Sequence, residues 1–190
     1  MVVSRHYFPL LFTGDALSTD LKSIAGRRAA LALLMGLPAI GLAAEPLCAR
    51  PTGRAVLLIR AGAAQPVACD MAALDRLPQA TIETRLPDSL GLAGHNRWSG
   101  VRLSHIAQAL GAPEGAEIQL TALNNYAVSV PLSDLARFDP VLATRRNGTP
   151  IGVRDKGPLI LIYPFDQYRE LQSREYVTRS IWQVPEIRVK

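Results

Sequence analysis

Cysteine is scarce in this chain. There are two in 190 residues, Cys48 and Cys69, and none from Asp70 to Lys190. Histidine is almost as rare, with three, and aromatic residues make up only 6%. No H-x-x-H, paired C-x-x-C or G-x-S-x-G occurs, so zinc chemistry and a hydrolase nucleophile elbow have no basis in the sequence. His95 and His105 are the only histidines after residue 44, and His105, beside Ile106 on a helical stripe, reads as a surface residue. No run of Lys or Arg occurs after residue 44 either. Setting residues 1–44 aside leaves 17 basic and 14 acidic side chains, a formal charge of +3. That is too weak to argue for nucleic acid, although it favours a small anion in a local pocket.

Long apolar runs are also missing. Ala29 to Leu37 is too short for a comfortable membrane span and is interrupted by Gly36, with Pro38 just beyond. It follows Arg27-Arg28 and precedes small residues at Gly41, Ala43 and Ala44. A positive region, a short apolar run and a small-residue exit predict a signal peptide over 1–44, cleaved near Ala43/Ala44, and a periplasmic product. The Arg pair hints at a twin-arginine signal, but its flanks match poorly. Glu45-Pro46-Leu47 is a poor lipobox for a lipid anchor on Cys48.

What is present is an ordinary globular composition, 48% hydrophobic and 19% charged, in a length suited to one domain. Residues 45–53 read as a flexible arm and 54–190 as the domain. Cys48 and Cys69 are either two separate thiols or, in an oxidising compartment, a disulfide closing a loop of about twenty residues, worth roughly 3 kcal/mol; we expect the disulfide.

Ala55–Ile59 reads as a buried strand. Asp70 suits the cap of a helix over Met71–Leu77, which Pro78 ends. Thr81–Thr84 is the next strand by its β-branched content. Gly, Asp and Asn make Pro87–Arg97 a long loop. Trp98-Ser99-Gly100 then enters a helix whose stripe is Leu103, Ile106, Ala107 and Leu110, with Gly111 after it. Alternation over Ile118–Ala122 and Tyr126–Val130, with Asn124-Asn125 between, predicts a hairpin. Ser133–Phe138 is a short helical turn. Asn147-Gly148 is a tight turn between Leu142–Thr144 and Pro150-Ile151. Leu159–Tyr163 reads as a strand buried on both faces and Glu186–Val189 as the last strand. The fold class is α+β, with short helices and mixed sheets.

Several segments stand in a telling order. They are Trp98-Ser99-Gly100-Val101-Arg102-Leu103, Asn124-Asn125-Tyr126 to Pro131, Leu142-Ala143-Thr144 to Pro150, Asp155-Lys156-Gly157-Pro158-Leu159, Tyr163-Pro164, and Trp182 followed by Ile187-Arg188-Val189. From Arg54 to Lys190 this order is similar to the oxidoreductase molybdopterin-binding domain of sulfite oxidase fold, nearest to its small, exported, stand-alone members. The resemblance implies a single molybdopterin-binding-type domain of mixed sheets.

The departures matter as much. In catalytic members a cysteine thiolate holds molybdenum, which needs a soft sulfur ligand. The matching stretch here, Thr81-Ile82-Glu83-Thr84-Arg85, has none. The H-G-x-P-x-R segment reads Lys156-Gly157-Pro158-Leu159-Ile160, and Ile181 stands where a lysine is usual before the tryptophan. The resemblance therefore implies a pterin or molybdopterin-like ligand without molybdenum, no catalysis, and signalling to the periplasmic part of a membrane-bound sensor enzyme of cyclic-di-GMP or kinase type. The alternatives are a molybdopterin-dependent oxidoreductase with an unusual metal ligand and a structural periplasmic module whose pocket has decayed.

A pterin needs an aromatic or guanidinium face and polar groups along its edge. Arg97, Trp98, Asn125, Tyr126, Arg154 and Lys156 supply those types, and we expect them to converge on one cleft. Each also has a plainer role: Trp98 in the core, Tyr126 in a strand, Arg154-Asp155-Lys156 in a solvated turn. The leader yields a direct test. Amino-terminal sequencing of the exported protein should show cleavage between Ala43 and Glu45, and a product that retains Arg27-Arg28 would refute the assignment.

Overall fold

The computed structural model describes residues 47–48 and 51–190. The expected signal peptide, its cleavage site and part of the arm lie outside the described residues.

Two five-stranded sheets share one core. The first strand, β1 (Leu57–Ala61), pairs antiparallel with β2 (Val67–Cys69). Helix α1 (Met71–Arg76) leads into β3 (Gln79–Arg85), a 3-10 turn at Asp88–Leu90, and β4 (His95–Arg102). Helix α2 (Leu103–Ala109) and the hairpin of β5 (Glu117–Thr121) with β6 (Ala127–Pro131) follow, then α3 (Leu132–Arg137). Strands β7 (Val141–Arg146) and β8 (Thr149–Pro150), a 3-10 turn at Val153–Asp155, and β9 (Ile160–Ile162) come next. A 3-10 turn at Arg169–Gln172, helix α4 (Arg174–Arg179) and β10 (Glu186–Val189) complete the chain.

One sheet has the order β2-β1-β10-β5-β6, and the other β3-β4-β7-β8 with β9 also on β7. The pairing of β1 with β10 is parallel, Ile59 opposite Ile187, so the first and last described strands are neighbours in a mixed sheet. Alternation places Leu57, Ile59, Ile118, Leu120, Val128, Val130 and Ile187 inward from this sheet. Ile82, Trp98, Val141, Leu142 and the whole of β9 bury the other. This is the expected α+β class, with mixed sheets and short helices.

The largest difference from the sequence reading is β4. Pro87–Arg97 was expected to be a loop and Trp98-Ser99-Gly100 a helix entry. Instead His95–Arg102 is a central strand, laddered to β3 on one side and β7 on the other. Two ladders override the local Gly and Asn signals. Gly100 serves a different purpose there: a Cβ would sit 2.1 Å from the Leu142 carbonyl oxygen, at the bulge where β4 shifts register against β7. Strand β1 is displaced two residues from Ala55–Ile59 because its register is set by β2 and β10. Strand β2 and helix α4 were not foreseen, as neither carries an apolar period long enough to read.

Cys48 and Cys69 form a disulfide, with Cα atoms 5.5 Å apart. Beside it, Asp70 organises the start of the domain. One carboxylate oxygen caps α1 by accepting from Ala73 N (2.7 Å), and the other accepts from Thr52 N and Gly53 N (2.8 Å each). These backbone donors, Ala73 first and Gly53 second, hold the Asp70 pKa below its ordinary value. A carboxylate depressed on folding contributes stability that is complete above the ordinary carboxylate range and is lost as pH falls through the depressed value. Denaturant unfolding of the wild type should therefore lose stability below about pH 4. Asp70→Asn should be less stable at pH 7 and lose less on acidification, and parallel pH profiles for the two proteins would refute the assignment.

Candidate functional site

A cleft of about 370 Å³ opens between three parts of the chain. Ser89 and Leu90 of the first 3-10 turn form one wall. Ala122, Asn124 and Tyr126 of the β5–β6 hairpin form another. Val177 and Thr178 of α4, with Ser180, Ile181 and Trp182 after it, close the third. Tyr126 is 44% exposed and Trp182 36%, so each offers an aromatic surface to solvent beside a buried base. Polar edges come from Asn124, Ser89 and Thr178. Asn124 Oδ1 accepts from Tyr126 N at 3.1 Å and shapes the hairpin end, where Asn125 takes φ 63°.

Each wall has a cause in the fold. Ala122 N donates to Tyr126 O at 2.7 Å, closing the hairpin tip. The Trp182 segment is pinned by Leu161 N to Ile181 O (2.9 Å), by an isolated bridge between Ile160 and Trp182, and by Gln183 N to Lys156 O (3.0 Å). Helix α4 has only six residues and would not stand alone in water. It is held by Asp134, which is buried. One Asp134 oxygen accepts from Arg179 (2.8 Å) and from the Tyr163 hydroxyl (2.8 Å), and Arg179 also meets Glu175 at 2.6 Å. Burial, and then the Asp134 charge, push the Tyr163 phenol far above its ordinary pKa, so it remains the donor. Tyr176 of α4 adds edge contacts to Phe138 and Tyr163, with centroids 5.3 and 5.7 Å apart. Burial likewise raises the Tyr176 pKa.

The six residues expected to converge are dispersed. Tyr126 lines the cleft. Asn125 sits beside it at the hairpin tip, while its neighbour Asn124 provides the lining side chain. Lys156 approaches from behind, its Nζ 4.0 Å from the Trp182 ring centroid and donating to Leu90 O. Arg154 is exposed on the Val153–Asp155 turn and is not among the lining residues. Arg97 projects to solvent from β4, 4.0 Å from an equally exposed Glu83, a pairing worth about 0–1 kcal/mol. Trp98 is fully buried in the core under Arg146, whose guanidinium carbon is 5.6 Å from its ring. The strand assignment of β4 explains both: alternation sends Trp98 inward and Arg97 outward. Trp98 therefore has the plainer core role. Its Nε1 has no hydrogen-bond partner among the described residues.

The sequence reading missed Trp182, Asn124, Thr178 and Ser180. Trp182 was within reach, because it belongs to the ordered segments that carry the family resemblance. Asn147, expected only as a turn, does more. Its side chain accepts from Arg97 N at 2.9 Å and donates to Asn96 Oδ1 at 3.0 Å. Asn96 also accepts from Arg146 Nε and donates to the carbonyls of Ala93 and Gly94 (3.2 and 2.9 Å). That network braces the loop below the cleft.

A thiolate-held metal does not fit these donors. Among the described residues both cysteines are oxidised, none is free, and no cluster of His, Cys, Asp or Glu has metal-binding geometry. On β3, which holds the Thr81–Arg85 stretch that the resemblance sets against the metal-binding strand, Thr84 is buried and its hydroxyl accepts from Asp166 N at 3.1 Å. A flat heterocycle does fit, with aromatic surfaces at Tyr126 and Trp182 and hydrogen-bonding groups between them.

The family described as "Oxidoreductase molybdopterin binding domain" matches residues 56–167. The match ends before α4 and Trp182, so one cleft wall lies outside it. The crystal structure of the sulfane dehydrogenase SoxCD from Paracoccus pantotrophus superposes with a TM-score of 0.51 at 18% identity, a likeness of fold. The superposition covers 70% of this chain and 37% of that chain, so this chain spans well under half of that protein. No curated protein matches the chain.

The anchoring of α4 is testable. Asp134→Ala strands the buried Tyr163 phenol and leaves the part-exposed Arg179 guanidinium with Glu175 alone, and should cost about 1–3 kcal/mol in denaturant unfolding. Arg97→Ala on the solvent face should stay within about 0.5 kcal/mol. Equal effects from the two would mean that α4 is not held through Asp134.

Proposed function

Because the chain belongs to the oxidoreductase molybdopterin binding domain family, and is thus a molybdopterin-binding oxidoreductase-type domain, we propose that it is a periplasmic protein that binds a pterin-type ligand without metal-centred catalysis and reports its occupancy to a membrane-bound signalling partner. The observation that carries the reading is the donor set. The cleft supplies Tyr126 and Trp182 as faces and Asn124, Ser89 and Thr178 as edges, while the sulfur that family catalysis requires is absent from β3 and tied up at Cys48–Cys69.

If bound, a molybdopterin-type group would contribute redox chemistry through its metal. This chain's residues hold a ring by stacking, satisfy its heteroatoms and keep water from its faces. Two features support export: the leader-like first 44 residues and a disulfide, which persists in oxidising compartments. The partner, taken to be the periplasmic part of a sensor enzyme of cyclic-di-GMP or kinase type, finds support in the surface beside the cleft. Of the exposed large apolar side chains, Tyr126 and Trp182 lie at the cleft, and Leu123 and Val153 at a neighbouring hollow, both bonded to Gln183 next to Trp182. Grouped exposed apolar residues mark contact surfaces more often than scattered ones do.

The test is a titration of purified protein with a 6-substituted pterin, together with metal analysis. Stacking on an aromatic side chain is worth about 1–3 kcal/mol per ring, so Tyr126→Ala and Trp182→Ala should each weaken binding about 5- to 150-fold. Arg97→Ala and Arg154→Ala should bind like wild type. Molybdenum should be far below one atom per chain. Stoichiometric molybdenum, or wild-type affinity in both aromatic variants, would overturn the reading.

A further inference from the structure

The side chain of Lys156 ties two walls of the cleft together without lining it. Its ammonium donates to the carbonyl of Leu90, which belongs to one wall, and lies 4.0 Å from the ring centroid of Trp182, which belongs to another. The backbone of the same residue accepts from Gln183 N at 3.0 Å, and Gln183 Nε2 donates to Val153 O at 2.9 Å, so the two turns are laced from both sides. Lys156 holds φ 70° and Gln183 φ 53°, left-handed conformations that non-glycine residues adopt only where the surroundings dictate them. The approach to Leu90 passes close to the next residue, a glycine. A Cβ on Gly91, itself at φ 66°, would stand 3.3 Å from Lys156 Nζ.

We propose that Lys156 is a positioning residue: it sets the separation of the Leu90 and Trp182 walls and, through its hold on the indole, the plane against which a ligand ring stacks. This rests on the pterin-type reading for the ligand but not for the brace itself. The lysine's charge matters because an ammonium over an indole is attracted by the ring quadrupole, and the Leu90 carbonyl fixes where that ammonium stands. An uncharged side chain of the same length fills the space and holds neither wall. Arginine keeps the charge, the donors and the affinity for an aromatic face.

The experiment compares wild type, Lys156→Met, Lys156→Arg and Trp182→Phe. In ligand-free protein, acrylamide quenching of tryptophan fluorescence reads the exposure of Trp182, because Trp98 is fully buried; Trp182→Phe gives the Trp98 background. Lys156→Met should raise the accessible fraction with little change in melting temperature, and Lys156→Arg should restore it. Affinity for 6-hydroxymethylpterin, the probe, should fall about 2- to 30-fold in Lys156→Met, the range a cation–π contact spans, and recover in Lys156→Arg. Unchanged quenching in Lys156→Met overturns the brace whatever the ligand. Affinity lost without a change in quenching and not recovered by arginine also overturns it, because it would make Lys156 a direct ligand donor. If wild-type protein ignores the probe, the pterin reading falls, while the quenching comparison still decides the brace.

Discussion

The buried carboxylate of Asp134 is the contact on which the site depends. It sits in α3, yet the groups it holds come from the end of β9 and from α4. A buried carboxylate and a buried phenol are costly alone, and the geometry offsets that cost because each has a partner, with the part-exposed Arg179 supplying the opposite charge. In return, a helix of six residues becomes a fixed wall. Everything after α4 inherits that placement: Ser180 turns its hydroxyl to Tyr176 O at 3.2 Å, Ile181 enters the core, and Trp182 emerges at the cleft. The bond is local, but it determines where an aromatic surface meets solvent some fifty residues later.

Much of the fold was legible because its strands obey simple periods. The β5–β6 hairpin, α1 with its Asp70 cap, the Asn147-Gly148 turn and the C-terminal strand follow from alternation and turn chemistry, which act over a few residues. The α+β class followed from the order of those elements and from the family resemblance. Strand β4 was not legible for the opposite reason. Its Asn, Ser and Gly residues carry a weak local preference, and its identity comes from two partner strands distant in sequence. Once β4 is a strand, Trp98 must face the core and Arg97 the solvent, so one misplaced element moved two candidate residues off the site.

The rest of the candidate set shows how far residue type alone reaches. Tyr126 was identified as a strand aromatic beside a polar turn, and it does line the cleft. Arg154 and Lys156 are adjacent but one, on the same turn, and only Lys156 reaches the cleft walls, because its left-handed backbone carries its side chain toward Leu90 and Trp182. Trp182 belongs to the ordered segments of the resemblance, but nothing local marks it as lining, since α4, which delivers it, has no readable apolar stripe. Choosing between neighbours of like chemistry needs the tertiary path of the chain.

The family-matched segment and the C-terminal segment divide the cleft between them. Residues 56–167 contribute Ser89, Leu90 and the hairpin, and residues after 167 contribute Thr178 to Trp182. A ring bound between Tyr126 and Trp182 would therefore join two parts of the chain whose contact is otherwise carried by Asp134, by Lys156 and by the short ties from β9. The exposed apolar residues Leu123 and Val153 lie at a neighbouring hollow. Ordering of Trp182 by a ligand would alter the surface that those residues present. On the reading proposed above, occupancy would reach a partner through the Trp182 wall without a metal. The backbone around Trp182 is pinned to β9 and to Lys156, while its part-exposed indole meets the Lys156 ammonium on one face and the cleft on the other side.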